Sequence, residues 1–385
     1  MTNSTMSGDD SGTLNSNEPK NSKFKQQKLP AWQPILTAGT VLPTFFVIGI
    51  AFVPIGVGLM YFSNQVHEVV VDYTDCVSAD QTRAEQRCSD AIADPNWDEN
   101  NICVCELPVN IGDTSWAGPV YMYYGLTNFY QNHRRYVKSR DDKQLYGQLA
   151  PEGPSNDCAP FQQNNKTKKF YAPCGAIANS MFNDKISLQH RPTSSNNEAD
   201  YQDVPLNKKG IAWPSDKKYK FKNPEYSGGW EGLKKVFEDA NVAKPKNWKL
   251  NIWELDKEDE DNNGFLNEDL IVWMRTAALP NFRKLYRKID HAEGSPFAEG
   301  LPSDKSYRLR IEYNYDVVQF SGTKKVILAT TSLLGGKNPF LGIAYIVVGC
   351  ICLVLGVIFL FIHLRFGKTP QDILNIGPRT TYNGN

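Results

Sequence analysis

Two long apolar segments interrupt an otherwise polar chain. Residues 36–62 and 340–362 contain no charged side chain. The hydrocarbon core of a bilayer takes about 20 apolar residues in a helix, and both segments exceed that length. We therefore predict two transmembrane helices with a large domain, residues 63–339, between them. The first segment is too long for a cleavable signal peptide and follows a polar tail, which favours an uncleaved signal anchor.

The middle segment carries β-strand patterns near its carboxyl end. From Tyr307 to Tyr315, apolar and polar residues alternate, which is typical of a strand with one buried face. Residues 320–324 then predict a turn, residues 326–330 a return strand, and residues 119–124 a further strand. We therefore predict a mainly antiparallel β domain, with a few short helices.

A helix is predicted after an acidic, asparagine-rich stretch. Asn267 can cap a helix that begins at Glu268. Four apolar side chains on one face would be buried: Leu270, Ile271, Met274 and Ala278. Pro280 is predicted to end this helix, and further helical turns are predicted from Asn281 to Ile289. Residues 186–210 are rich in polar residues and predict a long loop.

The positions of lysine and arginine predict the orientation in the membrane. Residues 63–82 contain neither, whereas four lysines precede the first apolar segment: Lys20, Lys23, Lys25 and Lys28. Positive charge concentrates on the cytosolic side of membrane helices, so we expect both termini in the cytosol. Residues 1–35 and 363–385 are then cytosolic tails, the first of them disordered, and residues 63–339 face the lumen or the cell exterior.

The net charge is zero, because 42 basic residues balance 42 acidic ones. This balance argues against a nucleic-acid partner, which would require a strongly basic face. One local run, residues 130–142, combines arginines with acidic residues in a way that predicts ion pairs at the surface or at a protein interface. The residues concerned are Arg134, Arg135, Arg140, Asp141 and Asp142.

Cysteine usage indicates an oxidising compartment. Six of the eight cysteines lie in the middle segment: Cys76, Cys88, Cys103, Cys105, Cys158 and Cys174. An even number there is typical of a disulfide-bonded domain. Zinc is the alternative, but Cys103 and Cys105 lack the gap of about two to four residues that zinc ligand pairs use. Cys350 and Cys352, in the second apolar segment, are expected to act as small apolar residues.

Known catalytic and metal-binding motifs are incomplete or missing. Residues 259–270 match the first half of an EF-hand calcium loop, yet Leu270 stands where the bidentate glutamate should be. This stretch therefore predicts a solvated acidic turn. The sequence contains no G-x-S-x-G, H-E-x-x-H or P-loop motif. We expect no catalytic residue, no metal and no cofactor.

Glycines share one face of each apolar segment because they recur every seven residues. They are Gly49 and Gly56 in the first segment and Gly342, Gly349 and Gly356 in the second. Rows of glycine let membrane helices approach closely. Two interpretations stay open: the two helices pack on each other, or they pack on the helices of a partner.

Two sequons for N-glycosylation are present. Asn165 lies in the middle segment, between Cys158 and Cys174, and we expect it to be modified. Asn3 lies in the predicted cytosolic tail, so we expect it to remain unmodified.

Five strings resemble hallmark sequences of the Cdc50, or ligand-effect modulator, family. They occur in the same order as in the family, and the resemblance extends from about residue 30 to residue 365. It is strongest to the animal A-type members. The strings are residues 123–142, 172–184, 210–213, 263–280 and 335–345.

The resemblance implies a non-catalytic β-subunit of a type IV P-type ATPase, a phospholipid flippase. Such a subunit forms a heterodimer with the ATPase α-subunit in the lipid bilayer. It supports folding of the complex, its exit from the endoplasmic reticulum, and transport of aminophospholipids to the cytosolic leaflet. The expected locations are the endoplasmic reticulum, Golgi, endosomes and plasma membrane. The expected outer domain is β-sandwich-like. The two membrane spans of the subunit are expected to lie beside helices of the ATPase.

The resemblance also implies disulfide pairs. Cys158 would pair with Cys174, and the four upstream cysteines would form a nested set, Cys76 with Cys105 and Cys88 with Cys103. A two-span channel subunit is the alternative function. It is disfavoured because Tyr345 and two cysteines are the main polar residues that the second span offers to a pore. An ecto-enzyme is a third class.

Overall fold

The computed structural model describes residues 22–29, 37–80, 86–94, 96–97, 101–195 and 197–367. The chain divides into two compact units, Met1–Gly56 with Ala344–Asn385, and Val57–Ile343. The predicted cytosolic tails lie largely outside the described residues.

Helices are few and short apart from those at the two ends. Within the described residues, the α-helices are α1 (Ala38–Asn64), α2 (Cys88–Ala93), α3 (Arg134–Lys138), α4 (Asp142–Leu145), α5 (Ala176–Asn179), α6 (Pro214–Tyr219), α7 (Gly229–Asp239), α8 (Glu268–Met274) and α9 (Pro339–Phe366). Both α1 and α9 are long and apolar enough to cross a membrane, as the two uncharged segments predict.

Strands are the most frequent regular elements of the middle unit. Within the described residues they are β1 (Glu68–Asp72), β2 (Cys103–Val109), β3 (Trp116–Ala117), β4 (Val120–Leu126), β5 (Phe170–Tyr171), β6 (Lys185–Pro192), β7 (Gln202–Asp203), β8 (Leu206–Asn207), β9 (Val242–Ala243), β10 (Phe282–Ile289), β11 (Gly300–Leu301), β12 (Lys305–Tyr313) and β13 (Lys324–Thr330).

Two antiparallel sheets organise these strands. One has the order β1-β13-β4-β10-β8 and the other the order β2-β12-β6-β7. Two small pairs complete the set, β11 with β3 and the parallel pair β5 with β9. One hydrophobic core draws buried side chains from both large sheets, among them Leu328 from β13 and Leu309 from β12. The predicted mainly antiparallel, sandwich-like domain is confirmed.

Strand β12 follows the predicted alternation. Tyr307, Leu309, Ile311 and Tyr313 are buried, while the residues between them are partly or fully exposed. The predicted strand 326–330 is also present, within β13. It is not a hairpin partner of β12, however. β13 pairs with β1 and β4, whereas β12 pairs with β2 and β6 in the other sheet.

The predicted helical turns from Asn281 to Ile289 are wrong, because this segment is strand β10. It pairs with β4 on one side and β8 on the other. The preceding helix does begin at Glu268, and the Asn267 side chain caps it by accepting a hydrogen bond of 3.0 Å from the Leu270 N–H. This helix ends at Met274, so the predicted burial of Ala278 is also wrong.

The predicted loop over residues 186–210 is wrong in its first part. Residues Lys185–Pro192 form β6, which lies between β12 and β7 in the second sheet. Ile186, Leu188 and His190 point to the buried side. Of the polar residues that suggested a loop, Ser187, Gln189 and Arg191 occupy the other face of this strand, whereas His190 lies on the buried face.

Candidate interaction surface

Three disulfide bonds tie irregular segments to the sheets and loops of the middle unit. Cys76 is joined to Cys105, and Cys88 to Cys103, so both bonds end on β2. The third bond joins Cys158 to Cys174. These are the pairs that the family resemblance implies. Because Cys76, Cys88 and Cys105 are bonded in this way, their sulfurs do not act as zinc ligands here.

Helix α8 is the meeting point of four of the five resembling strings. Its Trp273 is fully buried and donates a hydrogen bond of 2.7 Å to the Ile177 carbonyl. Just beyond the helix, the Ala277 N–H donates to the Gln131 side chain at 2.8 Å. Segments far apart in sequence therefore depend on one short helix for their positions.

Glu268, at the start of α8, holds the string at residues 210–213 in place. Its buried carboxylate accepts hydrogen bonds from the N–H groups of Ile211 and Ala212 at 2.7 and 2.9 Å. Lys217 lies 2.8 Å from the other carboxylate oxygen. Burial acts to raise the pKa of Glu268, but the Ala212 N–H and Lys217 outweigh it and hold the pKa below its usual value. Glu268 is therefore a charged anchor for the loop before α6.

That loop presents an exposed aromatic and basic patch. Trp213 is 62% exposed, and the Arg275 guanidinium lies 4.7 Å from the centre of its ring. Arg275 is held in place by Asp216 at 2.9 Å. Tyr130 and Leu279 are also exposed, and a hydrogen bond of 2.9 Å from the Asn132 side chain to the Ala278 carbonyl links their segments.

We call Tyr130, Trp213, Arg275 and Leu279 the Trp213 patch. Tryptophan, tyrosine and arginine are the residue types that contribute most to protein–protein binding. The Trp213 patch has the composition of such a contact surface and is held by buried hydrogen bonds beneath it. It is the candidate interaction surface of the middle unit.

The basic run before α4 forms one of the predicted ion pairs. Arg140 lies 2.9 Å from Asp142. Asp141 has a different role, because its carboxylate caps α4 by accepting from the N–H groups of Lys143 and Gln144. Arg134 and Arg135 are exposed on α3, a few residues after Tyr130 of the Trp213 patch.

Glycines lie at the contact between the two apolar helices. A Cβ atom on Gly49 would lie 2.5 Å from the Leu353 side chain, and one on Gly349 would lie 2.9 Å from the Val53 side chain. Gly356 faces Phe46 in the same way, and Gly56 and Gly342 are buried as well. This arrangement corresponds to the first interpretation, in which the two helices pack on each other.

The acidic loop that partly matches an EF-hand uses its oxygen atoms internally. Asp259 pairs with Lys209 at 2.5 Å. The buried Asn263 side-chain oxygen accepts hydrogen bonds from the Asp256 and Gly264 N–H groups at 3.1 and 2.8 Å. Two of the would-be ligands therefore stabilise the loop that leads into α8.

A family model settles the relationship that the strings suggest. The model of the LEM3 (ligand-effect modulator 3) family / CDC50 family matches residues 59–369. The chain belongs to the LEM3/CDC50 family.

Curated relatives of the LEM3/CDC50 chain match it over nearly their whole length. Cell cycle control protein 50A of Mus musculus is 50% identical over 362 residues, which is 93% of each chain. Cell cycle control protein 50B of Homo sapiens is 44% identical over 92% of this chain and 96% of its own. ALA-interacting subunit 3 of Arabidopsis thaliana is 42% identical over 93% of this chain and 90% of its own.

Sequence reasoning missed the Trp213 patch in this LEM3/CDC50 chain. The strings that contain Trp213 and Arg275 were noted for their resemblance, but nothing in their spacing shows that the two residues touch. The Asp216 carboxylate that orients Arg275 lies 59 positions away in sequence.

By contrast, Asn165 is exposed on the loop between Cys158 and Cys174, where its sequon predicts an accessible residue.

Proposed function

We propose that this chain is the non-catalytic β-subunit of a P-type ATPase that moves phospholipids to the cytosolic leaflet. The observation that carries the proposal is the family match over residues 59–369, on a chain whose apolar helices flank a disulfide-bonded β domain. One relative is named as an interacting subunit, which supports a partner-binding function. In this proposal, the ATPase performs the catalysis, and this chain supports its folding and its exit from the endoplasmic reticulum.

The proposed topology has both termini in the cytosol and the β domain on the outer or lumenal side. The lysines before α1 and their absence just after it support this orientation. The three disulfide bonds support it independently, because such bonds persist in oxidising compartments. The complex would then pass from the endoplasmic reticulum through the Golgi to endosomes and the plasma membrane.

Within this function, the Trp213 patch contacts the outer loops of the ATPase. An exposed tryptophan that a guanidinium covers presents both apolar area and charge to a partner. The glycine faces of α1 and α9 are filled by contacts within the chain, so an ATPase helix would pack on other faces of these two helices.

The first experiment is purification of the tagged full-length chain from its own cells in a mild detergent, followed by mass spectrometry. We expect a P-type ATPase of the lipid-transporting type in about equal amount. Recovery of copies of this chain alone would contradict the proposal and would favour a channel subunit instead.

A second experiment tests the Trp213 patch. Trp213→Ala should reduce recovery of the ATPase, because truncating a central aromatic residue of an interface costs about 2 kcal/mol or more, roughly a 30-fold loss of affinity. Tyr219→Ala is the matched control, since Tyr219 is 67% exposed at the end of α6, the helix that follows Trp213. Equal ATPase recovery from both variants would show that the contact lies elsewhere.

A further inference from the structure

A closed turn between β13 and α9 presents two leucines. Ser332 and Gly335 exchange backbone hydrogen bonds of 2.8 and 3.0 Å, so Leu333 and Leu334 form the tip of this turn. Gly335 has φ of +101°, a conformation that glycine adopts at little cost. The main chain therefore fixes the position of the two leucines, which we call the leucine turn.

Both side chains of the leucine turn are exposed to a degree that is unusual for leucine. Leu333 is 87% exposed, the highest value for a large apolar side chain among the residues that the structure describes, and Leu334 is 57% exposed. Burying such side chains in an apolar phase is favourable. A fixed turn that holds two of them outward is the geometry of a contact surface.

Hydrogen bonds hold the leucine turn near the end of α1. Before the turn, Thr330 and His67 exchange hydrogen bonds of 2.9 Å. After the turn, the Asn338 N–H donates at 3.0 Å to the side chain of Ser63, in the last turn of α1. Leu333 is three residues from Thr330, so it lies at most about 10 Å from that point.

The end of α1 and the start of α9 are where the chain meets the surface of the bilayer. The headgroup layers add about 5 to 8 Å on each side of the hydrocarbon core. Exposed Tyr61, on α1, fits the belt of tyrosine and tryptophan at the interfaces of membrane proteins. Lys337 is exposed between the leucine turn and α9, where it can meet lipid phosphates.

We propose that the leucine turn inserts into the bilayer interface on the side of the β domain and anchors that domain to the membrane. The occupant is phospholipid: Leu333 and Leu334 contact the boundary of the acyl chains, and Lys337 faces the phosphates. This inference goes beyond the proposed function, because the contact forms with or without an ATPase partner.

The test places a fluorescent probe on the leucine turn of the full-length chain. Cys350 and Cys352 are changed to alanine, Leu333→Cys is introduced and labelled with bimane, and the protein is reconstituted in phosphatidylcholine vesicles. A nitroxide attached to lipid and iodide in water serve as the two quenchers. Leu250→Cys, at another exposed leucine, is the matched control. Leu334→Cys provides a second site if the first variant folds poorly.

We expect the label on the leucine turn to lose most of its emission to the lipid nitroxide and to be protected from iodide. The label at Leu250 should show the opposite pattern. Equal iodide quenching at both sites, without lipid quenching at Leu333, would overturn the proposal. Protection of the leucine turn from both quenchers would also overturn it, because protein would then cover the turn.

Discussion

At the residue scale, a buried ion pair joins the two large sheets. The Lys324 ammonium, on β13, lies 2.7 Å from the Asp184 carboxylate, which immediately precedes β6, and both side chains are fully buried. The Tyr73 hydroxyl donates to the same carboxylate oxygen at 2.9 Å. The second oxygen accepts from the N–H groups of Asn314 and Tyr315, both at 2.6 Å. Groups of the protein itself thus pair with both charges.

Removing one partner of this pair should be costly. Asp184→Asn would leave the Lys324 ammonium buried without its counter-charge, and a loss of about 3 to 5 kcal/mol of stability is expected. The measurement is denaturant unfolding of the full chain in detergent, followed by tryptophan fluorescence. Glu312→Gln is the matched control, because Glu312 pairs with Lys185 at 3.3 Å at the surface. Loss of this pair should lower the free energy of unfolding by less than about 1 kcal/mol. Similar losses for both variants would contradict this account.

Lys284, on β10, is a second buried residue of this kind, and its ammonium contacts the end of α8. It donates hydrogen bonds to the carbonyls of Val272, Trp273 and Arg275, groups that the helix itself leaves unpaired. Burial lowers the pKa of Lys284 to about 7 from its ordinary 10.5. Between these two values the unfolded chain binds a proton that the folded chain does not. The free energy of unfolding should therefore rise with pH across this interval.

The pH dependence predicts a specific difference between variants. Lys284→Met should be less stable than wild type, since the carbonyls lose their donor, and its stability should rise less steeply above pH of about 7. Burial lowers the pKa of Lys324 to about 8. Lys324 contributes to the pH dependence of stability with the same sign in both proteins, so the difference between their two slopes isolates Lys284. Melting temperatures of the full chain across this pH range give the result. Lys288→Met, on the same strand, should keep the wild-type slope of stability against pH. A curve for Lys284→Met that runs parallel to the wild-type curve would refute the prediction.

At the scale of elements, β12 could be predicted because its partners reinforce its own pattern. Each buried apolar residue from Tyr307 to Tyr313 alternates with a polar one, and strands pair with it on both sides. β10 could not be predicted in this way. Its Lys284 is buried, and its Leu285 and Arg287 flank an irregularity in the pairing with β4, so simple alternation is lost. Pairing within the sheet overrides local preference here.

β6 and the Trp213 patch show a second limit of prediction from sequence. His190 occupies a buried position of β6 that local sequence treats as polar, so the strand resembles a loop until its partner is known. In the patch, Arg275 lies over Trp213 while Glu268 holds the segment before α6 and Asp216 holds Arg275. Contacts between distant segments depend on the tertiary fold and leave no periodic signal in the sequence.

The helix pair supports a prediction about its glycine face. Leucine at Gly349 would collide with Val53, whose backbone nitrogen lies 3.1 Å from the position of a Cβ atom. Because backbone cannot move aside cheaply, Gly349→Leu should separate α1 from α9. Gly58→Leu is the matched control, since nothing lies within 4 Å of a Cβ atom at that position.

A cross-link measures this separation. Phe45 and Phe359 have ring centres 5.4 Å apart, so cysteines at these two positions, in a chain lacking Cys350 and Cys352, should be joined by a short bifunctional thiol reagent. Gly349→Leu should abolish the cross-link, and Gly58→Leu should leave it intact. A cross-link that survives Gly349→Leu would show that the glycine face does not hold the helices together.

At the scale of the whole molecule, the membrane helices and the β domain are connected in a simple way. α1 leads within a few residues into β1, and β13 leads by way of the leucine turn into α9. β1 and β13 are neighbours in one sheet. The two connections to the membrane therefore leave the domain from neighbouring strands of one sheet. Both ends of the chain are expected on the same side of the bilayer because the chain is expected to cross it twice.

Two sequons in the same chain test that topology together. Asn165 is exposed between Cys158 and Cys174, and in the proposed orientation it faces the lumen, where glycans are added. Asn165→Gln should remove a glycosidase-sensitive shift in electrophoretic mobility. Asn3→Gln, at the matched sequon of the amino-terminal tail, should change nothing, because that tail is expected in the cytosol. The reverse pattern would invert the topology and place the disulfide-bonded domain in a reducing compartment. Since disulfide bonds do not persist there, that result would also conflict with the three cysteine pairs.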